Sequence, residues 1–168
     1  MYTRSQLLTL LDDLGIAYNL YEHEAVMTIA ESKAVRNGLR GVLCKCLLLA
    51  DRSDRLYLVA AFGDTRLDMR ALADQLQSGR LSFAPVTALK EFLGLEPGSA
   101  SLFGLVNDVT HRVTPIIQKD LLETEEDLFF HPLVNTASVG LSSEAILRFL
   151  QHTGHTPIIL GHIGSIHS

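Results

Sequence analysis

Val42 to Ala50 is a nearly unbroken apolar run with a single charge inside it, Lys45. Followed by the polar turn Asp51-Arg52-Ser53-Asp54 and the apolar segment Arg55 to Ala61, it reads as a buried strand and its antiparallel return. Alternation along the first strand puts Val42, Cys44, Cys46 and Leu48 on one face, and Leu43, Lys45, Leu47 and Leu49 on the other. A lysine among leucines is costly to bury unpaired. It therefore either snorkels to the edge of the sheet or projects into a polar cavity where an anion waits.

The rest of the chain mixes helices and strands. Ser5 to Leu14 reads as an amphipathic helix stopped by Gly15, and Tyr18 to Tyr21 as a short strand. Thr28-Ile29-Ala30-Glu31 matches a capping box, which predicts a helix from Thr28 to Gly38. Asp68 to Gln77 and Val86 to Leu93 are helical by pattern, the second ending at Gly94. Ser101 to Val106 and Arg112 to Ile117 are expected as strands flanking an Asn107-Asp108 turn. Leu128 to Phe130 and Thr136 to Gly140 are further strands, Ser142 caps a helix over Ser143 to His152, and Thr156 to Leu160 closes as a strand. The tail from Gly161 onward reads as a loose end. Without regular βαβ alternation, the class is α+β with a mixed sheet.

At 168 residues the chain fits a single domain, 1–168, with room for one proper core. No apolar run reaches the roughly 18 residues needed to cross a bilayer, and the polar start Thr3-Arg4-Ser5-Gln6 does not read as a signal peptide. Cytoplasmic residence, with no membrane partner, is the resulting expectation. Two cysteines two apart on a strand rarely form a disulfide and do not make a zinc site. A formal net charge of −5 argues against coating long nucleic acid, but not against gripping the end of an RNA through a local patch such as Lys33, Arg36, Arg40 and Lys45.

Three segments could carry chemistry besides Lys45. Glu96-Pro97-Gly98-Ser99-Ala100-Ser101 is a turn whose small residues would let backbone N–H groups approach a ligand, as an oxyanion hole requires; it is equally readable as an ordinary turn. His131, after Phe129-Phe130 and before Pro132, is a titratable ring beside an apolar wall, or simply a half-buried histidine with one hydrogen bond. Cys46 is either a thiol nucleophile or a small hydrophobe. The remaining histidines show no metal-ligand spacing, so neither metal nor cofactor is expected.

Taken in order, several segments are similar to one family. Tyr21-Glu22-His23-Glu24-Ala25, the Lys45 strand, Asp64 to Asp68 and Arg80-Leu81-Ser82-Phe83-Ala84 are followed by Pro97-Gly98-Ser99, Phe103 to Asp108, and Phe130-His131-Pro132-Leu133-Val134-Asn135-Thr136-Ala137. This pattern resembles the YbaK-like editing domains associated with prolyl-tRNA synthetase, and most of all their free-standing deacylases of mischarged tRNA.

The resemblance implies an α+β domain with a mixed, partly barrel-like sheet and flanking helices. It implies that Lys45 helps to hold the tRNA acceptor end, that Gly98, Ser99 and Ala100 offer backbone groups around the ester, and that His131 lies near the substrate. Met27, Thr28 and Ile29 would border the aminoacyl pocket, together with Cys46, Ser101, Leu102, Asn135 and Thr136. Prolyl-tRNA synthetase or a translation factor is the implied protein partner. An aminoacyl ester is already reactive, so a positioned water and oxyanion stabilisation suffice without metal or covalent intermediate. Size exclusion must set the amino acid, because a missing methylene alone discriminates by only about 1–3 kcal/mol. Two positions depart from the family pattern: Cys46 stands where asparagine often follows the lysine, and Leu102 where a proline closes the loop. These changes leave two other readings open, a binding module without turnover and a thiol-dependent esterase.

Overall fold

The computed structural model describes residues 1–25 and 40–166. The expected hairpin is its centre. Numbering strands along the chain after β1 (Asn19–Glu22), β2 (Val42–Ala50) runs antiparallel to β3 (Leu56–Phe62), with Lys45 opposite Ala61. Asp51 closes the turn. Its Oδ1 accepts the Ser53 and Arg55 amides at 2.9 and 3.0 Å, and its Oδ2 accepts Arg55 Nε at 2.7 Å, so this buried carboxylate is fully engaged.

The other strands are β4 (Thr65–Leu67), β5 (Ser82–Phe83), β6 (Val113–Gln118), β7 (Leu128–Phe130), β8 (Ala137–Leu141), β9 (Ile158–Leu160) and β10 (Gly164–Ile166). The main sheet runs β1-β8-β7-β2-β3-β6-β9, with β5 also on β2, while β4 and β10 form a separate antiparallel pair. Pairs β2–β7, β3–β6 and β6–β9 are parallel and the others antiparallel, so the sheet is mixed, as expected. Among the described residues the path has two ends and does not close into a barrel.

One irregularity positions the site. On the edge of β2 away from β3, β7 pairs only with Val42 and Leu43, and β5 only with Leu49 and Ala50. Neither strand reaches Cys44 to Leu47, so among the described residues the sheet parts beside Lys45.

Each face of the sheet carries its own core. Cys44, Cys46 and Leu48 join Leu58 and Ala60 against Leu7 and Leu11 of α1 (Arg4–Asp13), Leu89 and Leu93 of α3 (Val86–Leu93), and Phe149 and Leu150 of α5 (Ser143–Thr153). Phe103 meets Phe130 and Phe149 edge-on, with ring centroids 6.2 and 5.1 Å apart. On the opposite face Leu49, Tyr57, Val59 and Ala61 pack on Leu72 and Ala73 of α2 (Met69–Leu76) and on Ile163. A short α4 (Lys119–Glu123) follows β6. The helix starts follow the sequence signals: Thr3 forms a capping box with Gln6, Asp68 accepts the Ala71 amide, and Ser142 accepts the Ala145 amide. The helix expected from Thr28 to Gly38 lies outside the described residues.

Two expectations are corrected. Ser101 to Val106 is not a strand: Leu102–Asn107 forms a 3₁₀ helix, started by Ser101 Oγ accepting the Phe103 amide at 3.2 Å. Leu102 to Val106 are all buried, so no alternation was available to distinguish the two states. Gly104 permits the arrangement, because a Cβ there would lie 2.8 Å from Leu95 Cδ1 and 3.1 Å from Leu93 Cβ. No hairpin follows; β6 instead inserts between β3 and β9. The tail is not loose either. Ile163 is fully buried, and Gly164–Ile166 pairs with Thr65–Leu67.

Candidate functional site

Lys45 lies on the face of β2 that carries Leu47 and Leu49, at the parting of the sheet. It is half-buried at the floor of an open cavity of about 410 Å³ whose other walls are Gly63, Asp64, Thr65 and Arg66. Burial pushes the Lys45 ammonium below its usual pKa, and the negative charge of Asp64 opposes that shift. The outcome is a cation held short of full hydration, which favours capture of an anionic group.

The parallel register ends two residues short of both Lys45 and His131: Leu43 pairs with Phe129, and β7 stops at Phe130. Phe130 belongs to the larger core, whereas Phe129 turns to the other face and meets Tyr21, ring centroids 5.5 Å apart. His131 is the residue after the end of β7. Its Nδ1 lies 2.9 Å from the Ala137 carbonyl; a carbonyl only accepts, so Nδ1 carries the proton and Nε2 is the acceptor nitrogen of the neutral ring.

Two residues that the sequence reading left out of the site adjoin it. His23, just past β1, has its ring centroid 6.2 Å from that of His131, and its Nε2 is 2.9 Å from Oγ of buried Ser138. The usable signal was alternation: Tyr21 pairs with Ser138, and His23 is the next residue on the Tyr21 side. Thr136, exposed, supplies the carbonyl that accepts the His23 amide at 3.0 Å, and Asn135 beside it is half-buried. Met27, Thr28 and Ile29 lie outside the described residues.

The Gly98 to Leu102 segment approaches from the opposite face. Gly98 adopts φ of 89°, a left-handed conformation that suits glycine, in the turn closed by the Ser99 amide on the Glu96 carbonyl at 3.1 Å. Ser99 Oγ returns to the same carbonyl at 2.7 Å. Ser101 caps the 3₁₀ helix, while Ala100 and Leu102 pack on the larger core. The side chains are thus committed inward, and backbone groups are what this segment can offer.

Cys46 shares that inward orientation. Its thiol is buried in the larger core on the face opposite Lys45, and burial pushes it up to about 12, against the opposing pull of a hydrogen bond with the Leu102 backbone. Such a thiol stays protonated at neutral pH and is a poor nucleophile. The same contact ties Leu102 to the parting of the sheet. Among the described residues no group of three or more His, Cys, Asp or Glu could hold a metal ion, and no helix is long and apolar enough to cross a membrane.

The chain is similar to several known proteins. The family described as aminoacyl-tRNA editing domain matches residues 23–149. The prolyl-tRNA editing protein ProX of Acetoanaerobium sticklandii is 34% identical over 157 residues, spanning 93% of this chain and 95% of that protein. Prolyl-tRNA synthetase associated domain-containing protein 1 of Mus musculus is 37% identical over 161 residues, 94% of this chain and 95% of the relative. A solved structure of a candidate trans-editing enzyme for prolyl tRNA synthetase superposes with a TM-score of 0.71 at 18% identity, covering 96% of this chain and 99% of that one, a likeness of fold.

Proposed function

The chain belongs to the aminoacyl-tRNA editing domain family, and on that premise we propose that it deacylates mischarged tRNA(Pro) in trans, with alanine as the amino acid removed. Water adds to the ester carbonyl carbon, the bond from that carbon to the terminal ribose oxygen breaks, and the ribose oxygen takes up a proton. The products are free alanine and uncharged tRNA.

The observation that carries this reading is the half-buried Lys45 cation in an open cavity where the sheet parts, two residues beyond the β2–β7 pairing that leads on to His131. Lys45 anchors a phosphate of the acceptor end beside its open cavity. His131, with its Nδ1 proton committed to Ala137, offers Nε2 to the attacking water. Backbone N–H groups of Gly98, Ser99 and Ala100 stabilise the developing oxyanion. Asn135 and Thr136 border the substrate, and Met27, Thr28 and Ile29 set the pocket size. Cys46, Ser101 and Leu102 support the site from the core side. Prolyl-tRNA synthetase or a translation factor delivers the charged tRNA.

A panel of mischarged tRNAs tests the proposal. The protein should release alanine from Ala-tRNA(Pro) well above the spontaneous rate, and Lys45→Ala should slow this by about tenfold or more, equivalent to roughly 1.4 kcal/mol of transition-state stabilisation. No acceleration for any member of the panel would overturn it. Binding without turnover would mark a non-catalytic module.

A further inference from the structure

We infer that His23 is a positioning residue for His131, acting through the segment Thr136 to Ser138; this rests on the reading that His131 works at the ester. His23 grips that segment at two points. Its backbone N–H donates to the Thr136 carbonyl at 3.0 Å, and its ring reaches Ser138 Oγ at 2.9 Å. Between the two grips lies Ala137, whose carbonyl receives the Nδ1 proton of His131. The carbonyl that sets the His131 tautomer is therefore held from both sides by one residue.

Hydrogen-bond direction supports the assignment. His23 Nδ1 lies 2.7 Å from the Glu24 carbonyl, so it carries the proton of the neutral ring. Nε2 then accepts, and the Ser138 hydroxyl donates to it. Ser138 is only 4% exposed, so its hydroxyl depends on a protein partner rather than on bulk water. The β1–β8 ladder ends at the pair Glu22–Ala137, immediately before His23. Strand ends fray, and the side-chain clamp falls at the one place where fraying would move the Ala137 carbonyl.

The experiment pairs nitrogen-15 spectroscopy of the histidine rings in the free protein with steady-state deacylation of Ala-tRNA(Pro). Wild-type His131 should show a protonated Nδ1 and an unprotonated Nε2. In His23→Ala the ring should become a mixture of tautomers, and kcat should fall about tenfold with KM for the tRNA within about twofold. His23→Gln, which keeps an amide group near the position of Nε2, should recover most of both. Ser138→Ala cuts the clamp from the other side and serves if His23→Ala fails to fold. An unchanged His131 tautomer in His23→Ala or, where that fails to fold, in Ser138→Ala overturns the inference, as does a loss confined to KM. The spectra need no substrate, so they judge the clamp even if deacylation itself is absent.

Discussion

Lys45 and Cys46 are adjacent in sequence and opposite in character because a strand sends neighbours to opposite faces. One meets a cavity and the other a core. Lys45 is held in a place that disfavours its charge, so the folded state binds its proton less tightly than the unfolded chain does. Replacing it with an uncharged chain of similar length removes that cost. Lys45→Met is expected to unfold at equal or higher urea concentration than the wild type while losing affinity for tRNA; unchanged affinity would refute the site reading. Cys46 behaves in the opposite sense. Its thiol keeps its proton in the fold up to about 12, whereas the unfolded thiol titrates near 9. Between these values the native state binds more protons, so stability falls as pH rises through that window. Urea denaturation at pH 8, 9 and 10 should show a decline steeper than that of Cys46→Ala by at most about 1 kcal/mol per pH unit. Cys46→Ala should retain deacylation; its abolition, with a trapped thioester in the wild type, would restore the thiol-enzyme reading.

Among the elements, legibility followed the local signal. Helices with a side-chain cap and an amphipathic stripe were readable to within a residue or two, as at Ser142 and Asp68. The 3₁₀ helix was not, because a segment buried on every side has no period. Nor was the role of Asp108, which sequence cast as half of a hairpin turn. Asp108 is buried and accepts the Arg112 and Val113 amides, both at 2.9 Å, and His155 Nε2 also at 2.9 Å. It joins the end of the 3₁₀ helix, the start of β6 and the residue after Gly154 at the end of α5. His155 Nδ1 in turn sits 2.9 Å from Thr153 Oγ1, whose own hydroxyl donates to the Leu150 carbonyl. Nothing in the sequence ties residues so far apart. Removing one partner strands the other in the core, so Asp108→Ala should cost about 3–5 kcal/mol in denaturant melts. His155→Ala should cost less, and the double variant clearly less than the sum. Full additivity would show that the two do not act as a unit.

At the scale of the whole molecule, the site exists because distant segments meet where the central strand changes partners. Parallel pairing of β2 with β7 at Leu43 and Phe129 lays the segments that lead to Lys45 and His131 side by side, and a sequence read locally has no term for such a register. Only the family resemblance assigns these two residues to one pocket. The same non-local logic holds the far wall of the Lys45 cavity. Thr65 and Arg66 belong to β4, whose partner is β10, in the tail that sequence had read as loose. Just before β10, the Ile163 carbonyl accepts the Asp68 amide at 2.9 Å, at the start of α2. Gly164 makes the pairing possible: a Cβ there would lie 2.1 Å from the Arg66 carbonyl oxygen, a collision with backbone that no rotamer relieves. Gly164→Ala should therefore detach β10 from β4 while leaving the larger core, on the other face of the sheet, intact. Amide exchange should accelerate at Asp68, whose N–H bonds to the Ile163 carbonyl, but not along β3, and kcat/KM for mischarged tRNA should fall several-fold through the loosened cavity wall. Should exchange at Asp68 stay slow with activity unchanged, the tail is no part of the wall that holds Lys45's anion.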